Sequence, residues 1–352
     1  MKQNALTAPR QRNSNLELLR IIMMLIIIAH HYIVNSDIGL AISTPPKTYA
    51  LNYAFSLCFG FGGKMAINVF ILISGYFMCQ QQFKWKKLIN LICLMVFYKY
   101  VIYGIFLITG YETFSLAAFA KTVLFIPLRF GQSFAPSFLG LYVLCPFLNL
   151  FLQHADKKTM QRLLIILLVL FTGFSSFLLN TSFEYLGWYV TVYLIGSYLR
   201  LYPIAALEKK KTCLWLFLLN LALCWCSVLI VSFAEVKMQR TLPHFWFVAD
   251  SNKILAITTA ISMFCLFKTL NLGSNKIINT ISASTFGIFL IHTSSATMRN
   301  WLWNDIMQAG KAYTEPLFPL YACGAVVTVY LACFCIDYAR RNVLLLCKQI
   351  RK

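Results

Sequence analysis

The chain alternates between long apolar runs and short polar connections. Ten runs are long enough to be read as membrane-crossing helices, near 16–36, 60–80, 88–109, 134–152, 162–180, 184–201, 212–233, 253–270, 277–297 and 316–339. About 20 apolar residues suffice to cross the hydrocarbon of a bilayer. The pattern predicts an all-α, polytopic membrane helix bundle of about ten transmembrane helices. An N-terminal tail is expected over 1–15, a membrane domain over 16–341 and a basic C-terminal tail over 342–352. The first twelve residues are polar and lead into a full-length span without a small-residue cleavage pattern, so the first span is expected to stay uncleaved. Among the longer connections, 110–133 holds the stretch FSLAAFAKTVLFIPLRF, which reads as an amphipathic segment lying at the interface. Pro45-Pro46 is expected to break helix in the first connection. No internal repeat is visible.

Composition agrees with a membrane protein. Of 352 residues, 59% are hydrophobic, 16% aromatic and only 12% charged, against about 45–50% apolar and about 25% charged in a soluble domain. A net charge of +20 raises the question of nucleic acid. The basic residues, however, sit in short connections between apolar runs, and no basic soluble domain exists to bind nucleic acid. Their distribution sets orientation instead. Twenty Lys and Arg fall on the side of the two termini, including Lys84, Lys86, Lys87, Lys209, Lys210 and Lys211. Eight fall on the other: Lys47, Lys121, Arg129, Lys237, Arg240, Lys253, Arg299 and Lys311. The asymmetry predicts that both termini are cytoplasmic. Most of the twelve cysteines lie inside apolar runs, and there is no CxxC. Cys224/Cys226 and Cys333/Cys335 stand two apart without a His cluster, so no metal site is expected.

Ionisable groups inside spans then stand out, because they are costly there and turn towards protein or water. The first span carries Glu17, Arg20, His30 and His31. Arg20 and His31 are eleven residues apart, which on a helix is about 20° in direction and roughly 16 Å in height. They share a face, with Arg20 near the cytoplasmic end and His31 in the outer half. His30 points about 80° away. Lys64 near the outer edge of the second span is expected to snorkel, and Lys99 lies deep in the third as a candidate for a polar pathway. His154 and His244 read as solvated loop residues, and Trp301 and Trp303 fit an interfacial aromatic belt.

An Arg, ten residues and a His in the first span resembles the signature of the membrane acyltransferase-3 family. Further stretches match in order. FGGKMAINVFILISGYF, 61–77, is similar to the family's second-span pattern, with Asn68, Ser74 and Gly75 in place. FGQSFAPSFLGLYVLCPFLN, 130–149, keeps the Leu-Tyr-Leu-x-x-Pro-x-Leu core but has Phe134 where relatives often carry Trp-Phe. GWY at 187–189 with YLIGSYLR at 193–200 resembles the sixth span, and SASTFGIFLIH, 282–292, resembles a late element ending in His292. The resemblance runs from Glu17 to about His292 and makes 16–341 a membrane acyltransferase domain. No appended periplasmic domain is seen, which suggests a stand-alone transferase.

The resemblance implies transfer of an acyl group, commonly acetyl from acetyl-CoA, to a sugar of a lipid-linked or extracytoplasmic glycan in a bacterial cell membrane. Acetyl-CoA would be the donor, with no tightly bound cofactor. His31 is then the base that takes the hydroxyl proton, or an imidazole that is itself acylated; the sequence leaves both open. Arg20 is a phosphate-binding group for coenzyme A, its offset from His31 comparable with an extended pantetheine arm, or it pairs with Glu17 one turn earlier. His30, Asn68, Ser74 and His292 are further substrate-binding candidates. The alternative is a secondary transporter or flippase for a glycan or small anion, which the lack of similar halves argues against.

Overall fold

The computed structural model describes residues 14–43, 50–178, 184–238, 240 and 242–350. Most of the N-terminal tail, Pro45-Pro46 and the last two residues lie outside the described residues. The chain is 81% helix, with no strand among the described residues. In chain order the α-helices are α1 (Ser14–Val34), α2 (Asp37–Ser43), α3 (Ala50–Gly60), α4 (Gly63–Met78), α5 (Trp85–Ile108), α6 (Leu116–Val123), α7 (Phe125–Leu128) and α8 (Phe134–His154). There follow α9 (Lys157–Leu168), α10 (Tyr185–Leu201), α11 (Lys210–Met238), α12 (Ile254–Lys268), α13 (Lys276–Ser282), α14 (Thr285–His292), α15 (Ala296–Asn300), α16 (Ala309–Tyr313) and α17 (Phe318–Ile350). Two π-helical turns extend α9 over Val169–Leu178 and α15 over Trp301–Ile306.

Each of the ten apolar runs contains helix, but their lengths differ. Among the described residues, seven helices are long and apolar enough to cross a membrane, α3 and α4 counting as one, or up to eight if the bent pair Lys276–His292 and Ala296–Ile306 is one span. The helix α12 has only 15 residues, and α10 only 17. These two are central. They pack on α4, which also meets α1. Sheathed by other helices, they can carry polar groups such as Tyr189, Thr191, Tyr193 and Ser197 in α10, all buried. The helices α5, α11 and α17 form the outside. They expose large apolar side chains such as Ile105, Trp215, Phe233 and Leu331. In water such a surface would drive aggregation; against lipid it is the expected boundary.

Close approach of α4 and α10 depends on two glycines. A Cβ on Gly75 would stand 2.3 Å from the Tyr193 carbonyl oxygen, and one on Gly196 would stand 2.5 Å from that of Leu72. Small residues let membrane helices meet backbone to backbone. Nearby, Asn68 is fully buried; it donates to the Ser251 carbonyl at 2.6 Å and accepts from Trp188 Nε1 at 2.9 Å. On α17, buried Asp337 accepts from Tyr98 Oη and from Arg340 Nη2, each at 2.7 Å, tying the last helix to α5.

Two readings of loop residues are corrected. His244 is buried, not solvated, because Nδ1 sits 2.9 Å from the carboxylate of Glu235 near the end of α11. Trp303 is fully buried edge-on against Tyr32, with ring centroids 5.7 Å apart, so it belongs to the core instead of an interfacial belt.

Candidate active site

The outer ends of α1, α5 and α14 and the starts of α4, α8 and α10 gather at one end of the bundle. Between them lies a cavity of about 770 Å³. A sharp break in the late helices helps to form it. The chain turns through 101° between the α13–α14 pair and α15. A broken helix leaves backbone groups to be satisfied by others. Here Lys99 Nζ donates to the Ser294 carbonyl at 2.6 Å, and Ser295 caps α15 by accepting from the Met298 amide at 2.9 Å. The same turn brings Arg299 to the cavity wall.

His31 and His30 both line this cavity. His292 does not; it is completely buried behind His31, with ring centroids 5.3 Å apart. The hydrogen bonds fix which nitrogens carry protons. A carbonyl only accepts, so His292 Nδ1 donates to the Ile288 carbonyl at 2.7 Å. In a neutral His292, Nε2 is then an acceptor. The 3.1 Å contact is therefore donation from His31 Nδ1 to His292 Nε2. Neutral His31 is left with a lone pair on Nε2, which has no hydrogen-bond partner among the described residues. The arrangement is an oriented imidazole with its basic nitrogen free.

His30 is held separately, Nδ1 donating to the Gly60 carbonyl at 2.5 Å. Its ring needs Gly63, since a Cβ there would stand 2.3 Å from His30 Cγ. The angular offset of His30 from the Arg20–His31 line is real, but the α3–α4 junction wraps that face of α1 and the cavity reaches both rings. Phe134, at the position where the family resemblance leads one to look for Trp, lines the cavity and meets Phe289 edge-on at 5.1 Å.

Arg20 lies elsewhere. Its Nη1 donates to Glu17 Oε1 at 2.8 Å, and Ser282 Oγ donates to the other Glu17 oxygen at 2.5 Å. Arg20 is not among the residues that line the cavity, whose inward end carries Ile27, Ile67 and Met95, each one turn below His31, Lys64 or Lys99. Asn68 and Ser74 are also outside it, and Ser74 Oγ donates within its own helix to the Phe70 carbonyl at 2.8 Å.

The charge of the cavity was only partly foreseen. Lys64, Lys99, Lys121, Arg129 and Arg299 all line it, and among the described residues no Asp or Glu does. Lys64 does not snorkel, because it donates to Tyr185 Oη at 2.6 Å and pairs with Asp250 at 3.0 Å. Lys121 and Arg129 come from one connection, 110–133, within the stretch read above as interfacial, and Arg299 comes from another. The signal that could have found them is that they are basic on the side of the bundle poor in basic residues. Among the described residues no group of three or more His, Cys, Asp or Glu could hold a metal ion.

An imidazole with a free basic nitrogen at the edge of a water-accessible cavity, inside an apolar helix bundle, suits proton removal from a hydroxyl. Comparison with known proteins gives no match to a curated protein or to a solved structure. The profile of the acyltransferase-3 family, described as an acyltransferase domain, does match residues 13–337. That range takes in both ends of α1, the cavity and His292, and the chain belongs to the acyltransferase-3 family of membrane acyltransferases.

Proposed function

We propose that the protein is an O-acyltransferase of the bacterial cell membrane, moving acetyl from acetyl-CoA to a sugar hydroxyl of a surface polysaccharide or its lipid-linked precursor. The observation that carries this reading is the His31–His292 pair. His31 Nε2 takes the proton of the sugar hydroxyl as its oxygen attacks the thioester carbonyl. The carbon–sulfur bond breaks, and the proton leaves with the coenzyme A thiol. His292 touches neither reactant. It accepts from His31 Nδ1 and so keeps the lone pair on Nε2. The transporter reading is not favoured by family membership.

We place both termini in the cytoplasm and count ten passes. Support comes from helix in all ten apolar runs and from the twenty-to-eight division of basic residues. The donor then arrives at the Arg20 end and the acceptor at the cavity. Arg20 is half-exposed, and only its Nη1 is engaged among the described residues, so it keeps donors for a coenzyme A phosphate. Asn68 and Ser74 act as ties between and within helices and take no part in the chemistry.

The test is His31→Ala in purified, reconstituted protein, read as thiol release from acetyl-CoA and as one added acyl mass on surface glycans. Loss of about 100-fold or more in turnover is expected for removal of a general base. Near-normal turnover in a variant that still inserts and accumulates would refute the assignment.

A further inference from the structure

The cations around the cavity are not explained by orientation. On the side with only eight Lys and Arg, three of them, Lys121, Arg129 and Arg299, converge on one cavity, and Lys99 reaches it from within a span. The positive-inside tendency disfavours such a group on that side. Nor are these charges used up by the protein. Among the described residues Lys99, Lys121, Arg129 and Arg299 form no ion pair. Lys99 has a neutral carbonyl and the Phe125 ring, 5.6 Å away, for company. Of the nearby carboxylates, Asp250 is paired with Lys64, Glu112 accepts from the Thr297 hydroxyl, and Glu184 lies against Gly131. Guanidinium groups gathered without a counter-ion form a site for phosphate oxygens, which they can hold with paired donors.

The cavity also has an apolar edge. The helices α6 and α7 carry Lys121 and Arg129 at the cavity, while Leu116, Phe119, Val123 and Leu124 are exposed on the same short helices. Leu128 does both: it lines the cavity and is 53% exposed. The charged wall thus passes without a break into a surface suited to acyl or isoprenoid chains.

We propose that Lys121, Arg129 and Arg299, with Lys99 behind them, hold the phosphate groups of a lipid-carried acceptor sugar, whose hydrocarbon chain lies along α6 and α7. This rests on the acyltransferase reading for the word acceptor, because the donor is assigned to the opposite end of α1. The acceptor class is then a glycan still attached to a phosphate-bearing membrane lipid, in preference to a finished, lipid-free polysaccharide.

The experiment is calorimetric titration of the full chain in nanodiscs, with empty nanodiscs subtracted. The probes are farnesyl diphosphate, farnesol and inorganic pyrophosphate. Farnesyl diphosphate should bind at least about tenfold more tightly than either of the other two. Arg129→Gln with Arg299→Gln should weaken it by about tenfold or more, whereas Arg129→Lys with Arg299→Lys should stay within about threefold. Lys237→Gln with Lys311→Gln removes the same charge away from the cavity and should leave binding unchanged. Equal binding of farnesol, or full binding by the Gln variant, would overturn the site. Pyrophosphate binding as tight as farnesyl diphosphate would overturn the lipid carrier. Thiol release from acetyl-CoA is read separately, so a protein that holds the diphosphate but releases no thiol refutes the transferase reading and leaves the phosphate site standing.

Discussion

At the scale of single residues, the function turns on which imidazole nitrogen is free. The chain Ile288 carbonyl, His292, His31 assigns every proton in the pair and leaves Nε2 of His31 basic. A residue that orients the base should matter less than the base itself. His292→Ala is expected to lower turnover by about 10–100-fold, and less than His31→Ala, which loses the proton acceptor altogether. In the double variant the losses should not add, since His292 acts only through His31. Equal, additive losses in thiol-release kinetics would show that His292 works independently. For His30 the expectation differs. It is anchored to a backbone carbonyl instead of another imidazole. Gly63→Ala, which would drive a methyl group into its ring, therefore tests whether the position of His30 matters without changing its chemistry.

At the scale of helices, the central packing is strict. Gly75 and Gly196 let α4 and α10 meet with no side chain between them. Gly75→Val would force the helices apart. It should reduce the yield of monodisperse protein and destabilise it by about 1–3 kcal/mol, the range seen for overpacking, read as a lowered melting temperature. A variant as stable as the parent would mean that the two helices can separate freely. Asp337→Asn offers a second measure. It keeps the shape but weakens the tie between α5 and α17 and leaves Arg340 without its carboxylate, at an expected cost of about 1–3 kcal/mol.

The helices themselves were legible in the sequence, because an apolar run long enough to cross lipid admits little else. Their neighbours were not. Helical periodicity tells which residues share a face and says nothing about which other helix covers that face. So His31 and His292 were each site candidates from the sequence, yet their contact came only with the structure. The same limit hid the cationic wall, whose members lie on two helices and two connections. It also misplaced His244, which looks solvated until Glu235 is seen beside it.

At the scale of the whole molecule, the two ends of α1 are unlike. One end holds Arg20 in a compact pair with Glu17 and Ser282; the other opens into the cavity. The proposed topology, with both termini cytoplasmic, predicts that a reporter fused after Lys209 is active only in the cytoplasm and one fused after Lys311 only outside. The opposite pattern would reverse the assignment of donor and acceptor to the two ends.

The apolar plug of Ile27, Ile67 and Met95 at the inward end of the cavity has a chemical consequence. On the topology proposed above, these side chains lie between the imidazole and the compartment that makes thioesters. On the proposed mechanism, an acetyl group that passes them into an empty mouth would meet a base-activated water molecule and be wasted as acetate. Under that mechanism fidelity would be a question of sequence in time, with the sugar seated, displacing that water, before the acyl group passes. Acetate formed from acetyl-CoA in the absence of any sugar measures how often the order fails, and replacing Met95 with Ala should raise it.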